Sequence, residues 1–148
     1  MLKDKLTIYA NEEDAQRIRG LVLECVQNME INMVDMVAIA AAYTEAIELP
    51  AQIRCVVLSD ESDLKVSSDV RKIKYSLNST KGDICALNVQ KRSTCTCFEV
   101  LYGVFMSRVF IPDHSLYTPE QVLMCVCILC GWGASIDKLI PAINELLK

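Results

Sequence analysis

Residues 118–133, T-P-E-Q-V-L-M-C-V-C-I-L-C-G-W-G, constrain this chain more than any other stretch, because they spell out a complete helix with no polar side. Thr118 suits the N-cap, Pro119 suits the first helical position, and Gln121 closes a T-x-x-Q capping box. Gly131 is expected to take the left-handed conformation that ends a helix. Between these signals, Val122 to Cys130 is nine apolar residues in succession. A helix that is apolar all round must be enclosed by protein, so the rest of the chain has to supply a shell for it.

The other segments are read by periodicity. Lys5 to Tyr9 reads as a short strand. Asn11 then caps an amphipathic helix whose first turn carries Glu12, Glu13 and Asp14, with Ile18, Leu21, Val22, Cys25, Val26 and Met29 on one side. Asn32 opens an alanine-rich helix, Met33 to Glu48, which Pro50 stops. Ile53 to Leu58 has strand character. Ile73, Tyr75 and Leu77 alternate with Lys72, Lys74 and Ser76, and Cys85, Leu87 and Val89 alternate with Ala86, Asn88 and Gln90. With the turn residues Asn78 to Gly82 between them, these two runs predict a β-hairpin over about 71–90. Phe98, Leu101, Tyr102, Phe105 and Val109 recur at helical spacing from about Thr96 to Ile111, and Pro112 ends that run. Ser135 caps a last amphipathic helix with Ile136, Leu139, Ile140, Ile143 and Leu146, in which Pro141 introduces a kink or a later start.

The expected fold is therefore mainly α: a compact single-domain bundle (1–148) of about five helices around the central apolar helix 118–131, with a small β-hairpin at about 71–90. If the strands at 5–9, 53–58, 73–77 and 85–89 join, the class becomes α+β. Hydrophobic residues make up 52% of the 148, ample for one core, and no linker or repeat divides the chain.

No apolar run reaches the roughly 20 residues needed to span a bilayer. The longest candidate, Met33 to Leu49, is broken by Asp35, Glu45 and Glu48. The start, M-L-K-D-K-L-T-I-Y, lacks the apolar region of a secretory leader, and N-E-L-L-K at the end is no lipidation or retention signal. A cytoplasmic, intracellular protein without membrane contact is expected. The eight cysteines fit this, because Cys25, Cys125, Cys127 and Cys130 sit in apolar runs, where reduced thiols behave as small hydrophobes.

Motifs for catalysis are sparse. The chain has no G-x-S-x-G, P-loop, G-x-G-x-x-G or H-E-x-x-H. Its one histidine, His114, follows Asp113 in a short loop, where adjacent side chains point apart. Cys95, Cys97, Cys127 and Cys130 could offer four thiolates to zinc, but Cys127 and Cys130 lie inside the greasy helix, where apolar packing accounts for them. The same Cys127-x-x-Cys130 pair stands at the C-terminal end of its helix, where the dipole disfavours a reactive thiolate. No metal or cofactor is expected.

Charge is more strongly patterned. Between Arg71 and Arg92 lie six bases and one acid, Asp83, in a chain whose net charge is −4. Such a hairpin can dock on an acidic protein surface or contact phosphates, and lysines on a strand face also discourage edge pairing. Trp132, between two glycines, reads either as a lid over the end of the buried helix or as an exposed anchor. Lys72, Lys74, Lys81, Lys91, Arg92 and Trp132 are the candidate partner-binding residues. The expected function is a non-enzymatic protein–protein interaction module, self-associating as a homo-oligomer or binding a protein partner through an apolar helix face. Nucleic-acid binding through the basic hairpin 71–92 is the alternative, and an enzyme of unknown reaction the third reading.

Overall fold

The computed structural model describes residues 2–40 and 49–148. Its centre is one seven-stranded sheet in the order β1-β2-β3-β4-β5-β6-β7. The strands are β1 (Leu6–Tyr9), β2 (Met36–Ala40), β3 (Ile53–Ser59), β4 (Arg71–Leu77), β5 (Ile84–Lys91), β6 (Cys95–Tyr102) and β7 (Phe105–Pro112). Neighbours from β1 to β5 pair in parallel, and β5-β6-β7 pair antiparallel. Three helices accompany the sheet: α1 (Glu12–Met29), α2 (Pro119–Gly131) and α3 (Ile136–Leu147). The class is α/β, which overturns the expected mainly-α bundle of five helices. The four segments read as strands do join, but within a larger and mainly parallel sheet.

The helix expected at 118–131 is present as drawn. Thr118 Oγ1 accepts the Gln121 N–H at 3.2 Å, and Gln121 Oε1 accepts the Thr118 N–H at 3.0 Å, completing the capping box. Every residue from Gln121 to Cys130 is buried. One side of α2 rests on Val37, Cys55, Ile73, Tyr75 and Ile84 of the sheet, and α1 and α3 enclose the rest. Its end differs in detail from expectation. Gly131 is helical, and Gly133 is the residue with positive φ, at 88°. The Gly133 N–H reaches the Cys130 carbonyl and the Ala134 N–H the Leu129 carbonyl, the paired bonds of a Schellman motif. Gly131 serves packing instead: a Cβ there would stand 3.2 Å from Cys55 Sγ.

Two expected helices are strands. Met36–Ala40 is β2, in the middle of the parallel half, and the remainder of the expected helix, 41–48, lies outside the described residues. β2 is covered on both faces: Val37 and Ile39 join the helix-side core, while Ala38 and Ala40 join Ile53, Val56 and Leu58 on the other side. A strand buried on both faces has no period-two signal, so its alanines imitate a helix. The segment read as one helix from Thr96 to Ile111 is the hairpin β6–β7, turned by Gly103–Val104. Gly103 has φ 61°, the positive value that a two-residue hairpin turn beginning with Gly uses. Phe98, Val100, Val109 and Ile111 then face the helices.

The pair at 71–90 consists of strands, but not of a hairpin. β4 and β5 run parallel, with Tyr75 opposite Ile84, Ser76 opposite Cys85 and Leu77 opposite Ala86. A parallel pair ordinarily needs a crossover of a dozen or more residues. Here the overlap is only three residues, so a short loop can fold back. Ser76 Oγ accepts the Gly82 N–H (3.1 Å) and donates to the Ser79 carbonyl (2.6 Å), while the Asp83 carboxylate accepts the Lys74 N–H (2.9 Å). A Cβ on Gly82 would lie 2.7 Å from the Ser76 nitrogen, so only glycine fits this return.

Candidate site at the carboxyl ends of β3 and β4

In open parallel sheets, ligands sit beyond the carboxyl ends of the strands. At that edge, β3 ends in Ser59 and runs into Asp60 and Glu61, and β4 ends in Leu77 and runs into the folded-back loop. Helix α2 begins above them with Glu120 in its first turn, and α1 begins beside it with Asp14. The two helix starts are tied together: Asp14 accepts from Gln121 Nε2 at 2.6 Å and from Asn11 Nδ2 at 2.7 Å. Asp60 is held by its N–H bond to the Tyr75 carbonyl (2.8 Å).

Two crevices open along this edge. One, of about 220 Å³, is walled by Ser59, Asp60, Tyr75, Lys81 and Glu120 among others. The second, of about 420 Å³, is walled mainly by Leu77, Val89, Pro119, Met124 and Glu120. Glu120 and Leu77 line both, so the two adjoin.

Tyr75 is the group that needs explaining. Its side chain is 2% exposed, and its hydroxyl has no hydrogen-bond partner among the described residues. An orphaned buried hydroxyl is costly and uncommon in a native core. Burial pushes its pKa well up, and the nearby carboxylates of Glu120, Asp60 and Asp14 push the same way, so the phenol stays protonated. Glu120 is also raised, first by desolvation and then by Asp14. A carboxyl whose pKa is raised in a crevice is suited to taking up or giving a proton.

The turn from β1 into α1 is where many α/β folds place a glycine-rich phosphate loop. In this chain it reads Tyr9-Ala10-Asn11, followed by Glu12, Glu13 and Asp14. The site is therefore acidic where a nucleotide fold would be receptive to anions.

The residues singled out from the sequence lie elsewhere or apart. Lys72 is exposed and Lys74 half-buried on β4, Lys81 stands in the loop lining the acidic crevice, Lys91 is exposed as the last residue of β5, and Arg92 is exposed just after it. The parallel register sets Lys72 and Lys91 roughly ten residues apart along the strands, about 30 Å, rather than side by side on one hairpin. Lys91 is paired with Asp113 at 2.5 Å, while His114 is exposed. Trp132 is buried, and its Nε1–H donates to the Asp35 carbonyl at 2.7 Å, which makes it the lid over the end of α2. Cys95 and Cys97 lie on β6, Cys127 and Cys130 on α2, and among the described residues no three His, Cys, Asp or Glu side chains converge as a metal-ligand set. Burial raises the Cys127 thiol well above its ordinary value and Cys130 to about 11.

Sequence reasoning passed over Asp14, Asp60, Tyr75 and Glu120. Each had a local explanation as helix charge, loop polarity or strand alternation, and only the parallel topology brings them together.

No family model matches this sequence, and no curated protein matches it. Among solved structures, the chain is similar to MurF of Acinetobacter baumannii (TM-score 0.61, 10% identity), with 95% of this chain and 44% of that one covered. It is also similar to a UDP-N-acetylmuramoylalanyl-D-glutamyl-2,6-diaminopimelate–D-alanyl-D-alanyl ligase of Acinetobacter baumannii (TM-score 0.67, 9% identity, 95% and 46% covered). A third likeness is to a UDP-N-acetylmuramoyl-L-alanyl-D-glutamate–2,6-diaminopimelate ligase (TM-score 0.53, 10% identity, 82% and 30% covered). The chain thus spans less than half the length of these proteins. The expected non-enzymatic interaction module rested on the apolar surplus, the lack of catalytic motifs and a basic hairpin set against an acidic body, and its nucleic-acid alternative on the same hairpin, which the fold does not contain. What the fold resembles is part of an enzyme, a ligase.

Proposed function

We propose that this chain is the ligand-binding α/β portion of a ligase-type enzyme, with a small-molecule substrate lodged at the carboxyl ends of β3 and β4 against the start of α2. The observation that carries this reading is the polar crevice at the carboxyl ends of β3 and β4, walled by Ser59, Asp60 and Lys81 together with Glu120, whose carboxyl is raised by desolvation. The position agrees with the general rule for open α/β sheets, and the structures of similar fold bear the names of ligases. Glu120 is the proton acceptor in this reading, because desolvation already favours its protonated form. Among the described residues no helix is long and apolar enough to cross a membrane, and eight unpaired thiols suit the reducing interior of a cell.

Amide-shift mapping with a panel of small fragments tests the reading. Fragments should gather on the amides of 59–61, 75–82 and 118–124. Gathering instead on 49–54 and 65–70, at the opposite end of the sheet, would sink it.

A further inference from the structure

We propose that Asn144 keeps the molecule from pairing with a second copy of itself. Presented by α3, its carboxamide fills the place on the open edge of β7 that another strand would take.

The sheet ends in β1 on one side and β7 on the other. Strand β1 is four residues long, and a short edge offers little for another chain to pair with. Strand β7 runs for eight residues, and only its β6 side is used in the ladder. On an antiparallel strand the main-chain groups that point away from the neighbour fall on alternate residues. In β7 these are Met106, Arg108 and Phe110. Their side chains lie on the face opposite to Val109 and Ile111, away from the helices, where Met106 and Phe110 are 52% and 40% exposed. A long edge with apolar side chains beside its free main-chain groups is one that natural sheets keep covered.

Asn144 covers the middle of this edge. Its Oδ1 accepts the Phe110 N–H at 2.9 Å, and its Nδ2 donates to the Arg108 carbonyl at 2.9 Å. A carboxamide, like a peptide group, offers a donor and an acceptor in one plane. These are the two bonds that a residue of a parallel neighbouring strand would make across from Val109. Helix α3 holds the group in place, because the adjoining Ile143 is buried in the core.

The occupant kept out is another β7. Two copies of the strand, paired antiparallel and centred on Val109, set Arg108 opposite the partner's Phe110 and Met106 opposite the partner's Pro112. Centring the pair on Arg108 instead would bring two guanidinium groups face to face. In the favourable register the central bonds join the Phe110 N–H of each copy to the Arg108 carbonyl of the other. Those are the two groups that Asn144 already holds. The intramolecular and intermolecular pairings therefore exclude each other.

Sedimentation velocity and amide exchange on the intact chain test this. Wild type should stay monomeric as concentration rises, with the Phe110 amide protected and the outward Arg108 amide exchanging freely. Asn144→Ala, a change that favours the helix it sits in, should dimerise with rising concentration. In the dimer the Arg108 amide should slow by about fivefold or more, the factor that one hydrogen bond of ordinary net strength supplies. Loss of stability alone cannot protect that amide. Adding Arg108→Pro, which removes an outward N–H and spares the ladder to β6, should restore the monomer. Asn144→Ala that stays monomeric at every concentration, or dimerises with its Arg108 amide still open, would overturn the proposal. So would wild type that dimerises with that amide protected. Wild type also decides the matter should Asn144→Ala fail to fold: a Phe110 amide much slower than that of Arg108 supports the proposal, and equal rates would show the edge uncovered and overturn it.

Discussion

The two ends of the parallel half of the sheet carry crevices of opposite character. At the amino end, about 410 Å³ opens between Leu49, Ile53, Arg54, Lys65, Val66 and Val70. Its polar groups are exposed and locally satisfied: Arg54, Lys65 and Asp69 all reach solvent, and the Asp69 carboxylate accepts from Ser67 Oγ. At the carboxyl end, Tyr75 is buried without a partner, and Glu120 is partly desolvated beside Asp14. The amino-end crevice is a fold in the surface whose groups need nothing further. The carboxyl-end crevice holds polar groups whose needs the protein itself does not meet, and that distinguishes a site from a dent.

The contrast depends on α2 being a fixed wall, so the most damaging change lies within it. Val126 is 0% exposed on a helix with no polar side. Val126→Asp buries a charge without a counterion, at a cost of several kcal/mol, comparable with the whole stability of a domain. No cooperative thermal transition is expected in the variant. A cooperative melt would mean that α2 can turn a face to solvent, and the wall of the site would not be fixed.

Next in size is Gly82→Ala. The added Cβ would stand 2.7 Å from both the Ser76 nitrogen and the Tyr75 carbonyl carbon, atoms of the backbone that cannot move aside. A loss of about 2 kcal/mol or more is expected by denaturant unfolding. Hydrogen exchange should accelerate at Gly82 and Asp83, while segment 64–70 at the amino end keeps its wild-type rates. Equal acceleration at both ends would erase the distinction between them.

Legibility in the sequence followed the same division. Helix α2 could be read whole because every signal, from the Thr118 cap to the unbroken apolar run, lies within one segment. Helix α1, with its Asn11 cap, and the individual strands β1, β3, β4 and β5 were equally local. What escaped was set by neighbours distant in sequence. β2 lost its alternation because the sheet is covered on both sides of it. In β6–β7, Phe98, Tyr102, Phe105 and Val109 satisfy a helical spacing while also sharing one face of a hairpin, and Gly103 is the one residue that favours the second reading. The parallel return of β5 hangs on Ser76, Gly82 and Asp83, whose run N-S-T-K-G-D resembles any turn. The site was least legible of all, since Asp14, Asp60, Tyr75 and Glu120 meet only after these pairings exist.

A smaller effect isolates the orphaned hydroxyl. Tyr75→Phe removes a buried oxygen that bonds to nothing and keeps the ring in place. The variant should be more stable than wild type by about 1 kcal/mol, the low end of what an unsatisfied buried polar group costs. Chemical denaturation measures this directly. Destabilisation instead would show that the hydroxyl has a partner in the unliganded protein, and the carboxyl end would then be as self-sufficient as the amino end.

The smallest effect has the sharpest signature, because the two crevices each carry a carboxylate that titrates in the opposite sense. Glu120 is raised above its ordinary 4.5 by desolvation and then by Asp14. The folded state therefore holds that proton more tightly than the unfolded chain, and the associated stability is complete below about 4.5 and lost as pH rises through the raised value. Asp69 is lowered from 3.8, first by the Ser67 hydrogen bond, so its contribution is present above that value and lost as pH falls through the depressed one. Glu120→Gln should thus match wild type at low pH and exceed it at neutral pH. Glu120 is only partly buried, so screening limits the gain to a few tenths of a kcal/mol. The favourable pairing of Glu120 with the α2 dipole opposes the gain, but the raised pKa shows that desolvation and Asp14 outweigh it. Asp69→Asn should differ from wild type only above its depressed pKa, where it is the less stable of the two. Melting temperatures of wild type and both variants between pH 3 and 7 reveal the signs even where the magnitudes are small. If Glu120→Gln were instead the less stable protein at neutral pH, Glu120 would already be satisfied as an anion, and the carboxyl end would be as self-sufficient as the amino end.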